Sequence, residues 1–315
     1  MASRAFVGAS YAMLCGIWGS TWLVIRIGLE GAPAFLSASL RFVVASATLL
    51  GLAAVFRSKL PRGRVEWGLA LFVGLVLFTA DYGLIYWGEN NGVASGLSAI
   101  LFATFPLQTA LFAHALLKKE RVSVQKLAGI ALGFVGILVI FRGQLAADAG
   151  LFIPMLAIVL AATCAGVSGV ALKRWGHGAD PVSFNAFAMA TGALSLAGVS
   201  LAAGEPWTVP SWPAGIGAIV YLAIAGSVLT FVTWVWLLKR LEATTMSYIA
   251  FVTPIVAVLL GVAVGEELLD PLILGGAAVT LAGIYVANSR RISGWGRARL
   301  EAVKVSATDP PGDER

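Results

Sequence analysis

Charge, histidine and cysteine are all scarce in this sequence, and each scarcity excludes a kind of chemistry. Only 12% of the 315 residues are charged, about half of the roughly 25% typical of soluble domains. A chain so poor in hydrated side chains cannot cover a globular surface in water. The two cysteines, Cys15 and Cys164, exclude a disulfide framework; each stands inside an apolar stretch and reads as a packing residue. The two histidines, His114 and His177, share no ligand spacing with them, so no metal site and no cofactor is expected. No Gly-x-x-x-x-Gly-Lys-Ser/Thr segment occurs, which excludes the phosphate-binding loop of an ATP-driven pump.

What the chain has in abundance is apolar length: 59% of its residues are hydrophobic. Ten apolar stretches can be read, at 5–27, 33–56, 66–88, 93–117, 125–142, 150–172, 182–203, 213–238, 244–265 and 271–289. Most hold about 18–25 residues, enough at 1.5 Å per residue to cross a hydrocarbon layer of roughly 30 Å. Lipid offers no partner to an unpaired peptide group, so each crossing stretch is expected to be a helix. The expected fold is an all-α integral membrane protein with ten transmembrane helices, multi-pass in a bacterial inner (plasma) membrane, with lipid as a partner. The first stretch exceeds a secretory h-region and shows no convincing cleavage site, so it is read as a span. From Ser289 the character changes. Arg290, Arg291, Trp295, Arg297, Arg299 and Lys304 make a basic segment suited to headgroups, and beyond Thr308 the composition is that of a disordered end.

The basic residues give an orientation. With the N-terminus in the cytoplasm, the cytoplasmic segments collect 19 of the 22 lysines and arginines: Arg4, four at 57–64, four at 118–126, Lys173 and Arg174, Lys239 and Arg240, and six after residue 289. Arg26 and Arg142 fall outside, and Arg41 lies within a span. The external connections carry acids instead: Glu30, Glu89, Asp148, Glu205, Glu266, Glu267 and Asp270. This positive-inside bias places the N- and C-termini in the cytoplasm. The net charge of +6 then reports topology and attraction to anionic headgroups, not nucleic-acid binding.

The chain is also written twice. Ser20, Arg26, Gly28, Pro33 and Pro106 recur as Ser168, Arg174, Gly176, Pro181 and Pro254, each 148 residues later; Glu120, Gly129 and Gly136 recur as Glu267, Gly276 and Gly283 after 147. The repeating unit holds five stretches, an odd number, so its second copy must sit upside down. Two inverted five-helix repeats are expected, 1–148 and 149–289, followed by a basic cytoplasmic tail at 290–315. Inverted halves place a substrate site between them near mid-membrane and belong to transporters with alternating access.

These residues resemble the EamA-type permeases of the drug/metabolite transporter superfamily. The resemblance is carried by Trp18-Gly19-Ser20, Pro33 followed by Arg41, the small-residue run Ala94-Ser95-Gly96-Leu97-Ser98, Pro106, Glu120, and Gly129, Gly133 and Gly136; Pro181, Pro254, Glu267, Gly276 and Gly283 repeat it in weaker form. It covers about 5 to 289. The second half departs from the first with Gly166-Val167-Ser168 in place of Trp-Gly-Ser and Met189 in place of Arg41. The resemblance implies a fold of two inverted five-helix repeats and the export or exchange of small metabolites or amino acids, without fixing which.

Inside the spans, ionisable residues need a compensating role, since each costs at least about 2.5–3.5 kcal/mol on insertion scales. Arg41 stands eight residues after Pro33, about 12 Å below the outer surface, and Asp81 seven before Gly88, about 10 Å deep. Matching depths predict an ion pair or a shared polar network; it either neutralises two charges or faces a cavity and binds a zwitterion. Trp18 and Trp22, four apart, share one helical face with Cys15 and Ile25. Phe78, Asp81, Tyr82 and Ile85 share another, and Ser95, Ser98, Phe102, Phe105 and Thr109 a third. In the second half Ser168, Asn185, Thr230, Trp234, Ser247, Tyr248 and Thr253 are comparable. The substrate-pathway candidates are therefore Trp18, Ser20, Trp22, Arg41, Asp81, Tyr82, Ser98, Phe105, Ser168, Asn185, Trp234, Tyr248 and Thr253. Helix packing accounts for any one of them equally well. Pro106 and Pro254 interrupt their spans at matching points and mark a helix break or gate.

Gly166-Val167-Ser168-Gly169 matches the serine motif of intramembrane proteases, but His177 stands nine residues on, in a loop, out of reach of the serine it would have to activate. No catalytic residue is expected. The leading reading is a secondary transporter exporting small metabolites, such as amino acids or amphipathic compounds, by alternating access. The alternatives are a channel-like facilitator or uniporter and, more remotely, an intramembrane enzyme. The small molecule, a proton or another coupling ion, and a second copy of the chain are the partners considered; Gly129–Gly133 and Gly261–Gly265 are small-residue pairs of a kind that packs helices within or between copies.

Overall fold

Peptide groups in lipid can bond only along their own helix, and the computed structural model is helical throughout, with no strand among the described residues. Outside the description lie residues 1–3, 118–123, 126–127, 130, 134, 137, 140–147, 209, 211–213, 242, 248, 265–270, 273, 284 and 287–315. Glu120, Glu267, Tyr248 and the tail 290–315 are among them. The helices are α1 (Arg4–Leu29), α2 (Ala34–Val55), α3 (Gly63–Val73), α4 (Tyr82–Asn90), α5 (Ser95–Phe102), α6 (Phe105–Leu116), α7 (Phe152–Trp175), α8 (Pro181–Ala202), α9 (Ala214–Ala223), α10 (Thr230–Leu238), α11 (Ala243–Ser247) and α12 (Ile249–Ala263). Among the described residues, seven continuous helical runs are long and apolar enough to cross a membrane, and they coincide with seven of the ten expected stretches: Ala5–Leu29, Ala34–Val55, Gly63–Asn90, Ser95–Leu116, Ala149–Trp175, Pro181–Ala202 and Ala214–Leu238. Shorter apolar helices, Val252–Ala263 and Leu274–Gly283, lie in the ninth and tenth.

Two of these runs are not α-helical in the middle. Between α3 and α4 lies a π-helix, π1 (Gly74–Asp81), and between α9 and α10 another, π2 (Ile224–Leu229). A π turn moves each backbone bond from i−4 to i−5 and leaves a carbonyl short of a partner where the ladder returns to i−4. A hydroxyl adds a bond inside each segment: Thr79 Oγ1 donates to Gly74 O at 3.0 Å, and Ser227 Oγ donates to Leu222 O at 2.8 Å, each five residues back. Glycine opens each segment to a neighbour. A Cβ on Gly74 would lie 2.8 Å from Ala188 O of α8, and one on Gly226 would lie 2.9 Å from Thr21 of α1.

The ends of α2 and α8 are tied together. After α8, Gly204 takes φ 68°, and the bonds Gly204 N to Leu201 O (3.1 Å) and Glu205 N to Ser200 O (3.0 Å) close the helix end. That turn delivers Glu205 to the start of α2, where Pro33 has no side-chain donor or acceptor to cap with. Glu205 Oε1 and Oε2 accept from Phe35 N (3.0 Å) and Leu36 N (2.9 Å), and Ser200 Oγ donates to the same carboxylate at 2.7 Å. At the other end of the pair, Ser183 Oγ donates to Lys59 O at 2.6 Å. Glu205→Ala should therefore cost about 1–2 kcal/mol, the range of a lost helix cap; reversible unfolding in mixed micelles measures it.

Helix packing pairs the two halves of the sequence. The most extensive contact is α2 on α8, and the next ones join α1 to α12 and α6 to α7. Two glycine positions make a matched crossing. A Cβ on Gly136 would sit 2.5 Å from Gly276 O, and one on Gly283 would sit 2.6 Å from Gly129 O. Backbone oxygens cannot step aside, so Gly136→Ala and Gly283→Ala should each lose about 1–3 kcal/mol, the cost of overpacking. Gly51→Ala, where nothing lies within 4 Å, should be neutral or stabilising by up to about 1 kcal/mol. The same unfolding measurement separates the three.

Candidate functional site

Four residues of α1 recur on one face, Trp18, Thr21, Trp22 and Ile25, and that face forms one wall of a cavity about halfway along the helices. The opposite walls come from Leu77 and Asp81 of π1, Tyr82 and Ile85 of α4, Phe102 and Phe105 around the α5–α6 break, Ala165 of α7, Phe231 and Trp234 of α10, and Ile249, Ala250 and Thr253 of α12. The empty space between these walls, open solvent at its mouth included, is about 740 Å3. Its aromatic rings are in contact: Trp18 with Phe231 at 5.4 Å between centroids, Trp22 with Phe102 at 5.3 Å, and Phe102 with Phe105 at 5.8 Å. Such edge-on and offset contacts hold large rings in place without filling the space between them.

The polar groups on this wall are few. Asp81 is 2% exposed and its Oδ1 has no hydrogen-bond partner among the described residues. Trp18 Nε1 has none either. No lysine, arginine or histidine is among the sixteen lining residues. Pro106 and Pro254 carry no N–H, and the residues four before them, Phe102 and Ala250, line the cavity. The two prolines act differently on their helices. Pro106 is the second residue of α6, just after the break at Ala103 and Thr104, where its missing N–H costs nothing. Pro254 stands inside α12.

Of the two arrangements expected from their depths, an ion pair or a shared polar network, the direct pair is absent: no ion pair within 4.0 Å joins Arg41 to Asp81, and the cation acts on the carboxyl only at longer range. Arg41 is wholly buried behind the wall and turns to π2: Nε donates to Ser227 Oγ at 2.9 Å and one terminal nitrogen to Gly226 O at 3.0 Å. The other reaches Tyr86 OH at 3.5 Å, and the guanidinium lies over the Tyr82 ring, 4.6 Å from its centroid. A carbonyl, two hydroxyls and a π face satisfy the cation without a carboxylate.

Of the other sequence candidates, Trp18, Trp22, Asp81, Tyr82, Phe105, Trp234 and Thr253 come together on the wall. Ser20 does not: its hydroxyl pairs with Tyr221 OH at 2.7 Å, on the side of α1 facing α9. Ser98 and Ser168 are buried away from the cavity with no hydroxyl partner among the described residues, and Asn185 donates to Pro181 O at 2.8 Å. Sequence reasoning passed over Thr21, Leu77, Ala165, Phe231, Ile249 and Ala250. Phe231 stands three residues before Trp234, a spacing that could have found it, as Thr21 stands three after Trp18; the aliphatic positions carry no such mark.

Comparison with known proteins agrees with this architecture. The model of the EamA-like transporter family matches twice, over residues 6–142 and 152–289. The chain is 33% identical over 266 residues to the uncharacterized inner membrane transporter YedA of Escherichia coli K12, covering 84% of each chain. It is 25% identical over 286 residues, 86% of this chain and 90% of the other, to a protein of Salmonella typhimurium named a probable amino-acid metabolite efflux pump. A solved crystal structure superposes with a TM-score of 0.68 at 19% identity, over 90% of this chain and 98% of that one, and shares the fold.

Proposed function

We propose that this chain, which belongs to the EamA-like transporter family, is a secondary transporter that exports small metabolites, amino acids or amphipathic compounds among them, by alternating access. In this reading it crosses a bacterial inner membrane ten times as two inverted five-span repeats, 1–148 and 149–289, with both termini and the tail 290–315 in the cytoplasm. The observation that carries the reading is the origin of the cavity wall. It is drawn from α1, π1, α4, α5 and α6 of the first half and α7, α10 and α12 of the second, so relative motion of the halves alters its openings. The helix contacts lend support, because α1 on α12 has its repeat counterpart in α7 on α6. The relative named as an efflux pump favours outward movement.

Solute counterflow in proteoliposomes, with a panel of radiolabelled amino acids and aromatic amines and imposed pH gradients, tests the proposal. Flux above protein-free liposomes for at least one compound is expected; none for the whole panel rejects it. Orientation has its own test. Single cysteines replacing Arg64 and Asp148, in a background lacking Cys15 and Cys164, should be shielded and labelled, respectively, by an impermeant thiol reagent in intact cells. Labelling at 64 rejects the assigned topology.

A further inference from the structure

Among the described residues, the cavity offers a solute one carboxylate and aromatic rings, and no cation. We infer that its ligand is a monocationic amphiphile: an ammonium group on an aromatic or apolar body, with a neutral hydrogen-bond acceptor, and not a free amino-acid zwitterion. The inference deepens the transporter reading and rests on it for treating the cavity as the solute site.

Three observations converge on it. Asp81 lines the cavity, and its Oδ1 is buried and lacks a partner among the described residues; a buried carboxylate oxygen in that condition is an acceptor for a charged donor. Rings of Trp18, Phe231 and Trp234 line the same space, and aromatic π systems favour an organic cation. The group that could hold a carboxylate, the Arg41 guanidinium, has no exposed surface and spends its N–H groups on Ser227, Gly226 and Tyr86. A zwitterion entering the cavity would desolvate its carboxylate against aromatic rings and one acid. Trp18 Nε1, also without a partner, can donate to a neutral amide or ester oxygen.

Four compounds with one body separate the possibilities: L-phenylalaninamide, L-phenylalanine, N-acetyl-L-phenylalanine and N-acetyl-L-phenylalaninamide. At pH 7 the free α-amino group, with a pKa of about 7.7–8.0, is mostly cationic. Equilibrium dialysis against the full-length protein in detergent should find the amide bound about tenfold or more tightly than phenylalanine, with the acetylated anion weakest. Asp81→Asn should abolish the amide's advantage and leave the neutral diamide's binding unchanged, which also reports an intact cavity. Asp81→Glu should retain the preference for the amide. Equal binding of amide and zwitterion, an undiminished preference in Asp81→Asn, or binding of none of the four overturns the inference. Counterflow on the same preparations keeps the two readings apart. Asp81-dependent binding without any flux sinks the transporter reading alone; phenylalanine flux indifferent to Asp81 sinks the cation site alone.

Discussion

Arg41→Met is expected to destabilise the protein by about 3–5 kcal/mol, the scale of removing one member from a buried charged network. Two charge-assisted bonds disappear, to Ser227 Oγ and Gly226 O, each worth about 1.5–3 kcal/mol. The Gly226 carbonyl, displaced from α-helical bonding by π2, is left without its donor. Asp81 also loses the cation that acts on it through the wall. Arg41→Lys should fall between wild type and Arg41→Met, since one ammonium cannot span both acceptors or stack on Tyr82. Double-mutant cycles assign the partners. Arg41→Met with Ser227→Ala should couple by about 0.5–3 kcal/mol, and Arg41→Met with Asp81→Asn by less. The reverse order, measured by reversible unfolding in mixed micelles, would restore the direct pair with Asp81.

That correction locates what the sequence could and could not reveal. Apolar length was legible because lipid imposes it, and the i, i+4 spacing of Trp18 and Trp22 put both on the cavity wall. Glycine spacing was legible too: Gly136 and Gly283, 147 apart, meet Gly276 and Gly129 in one crossing. Depth in the membrane follows from counting residues, but azimuth does not survive a π segment. One extra residue in the turn rotates everything after it by roughly 100° relative to an α-helix, and Asp81 lies at the end of π1. No residue type announces such a segment; the hydroxyls of Thr79 and Ser227 gain meaning only beside the carbonyls they satisfy. Glu205 was read as an external loop acid, and its capping of α2 depends on a contact 170 residues away in sequence.

A single cysteine at Thr253 is expected to be reachable from both sides of the membrane, but never in one state. Thr253 lines the cavity on α12, beside α1, and is 5% exposed, so a reagent reaches it only through the cavity. If the halves rock, each orientation of the protein in a vesicle spends part of its time open to the reagent. An impermeant methanethiosulfonate added to either face of Thr253→Cys, in a background lacking Cys15 and Cys164, should then react at a measurable rate. A transported solute should raise one rate and lower the other, because a ligand shifts only conformations it binds unequally. Modification should also cut counterflow about tenfold or more, the effect of roughly 1.4 kcal/mol on a barrier, since the adduct occupies the space between the rings. Reaction from both faces with rates that solute leaves unchanged would mean a continuous pore, and the facilitator reading would replace alternating access. Reaction from one face alone, whatever solute is present, would make the cavity a blind pocket and remove it from the transport path.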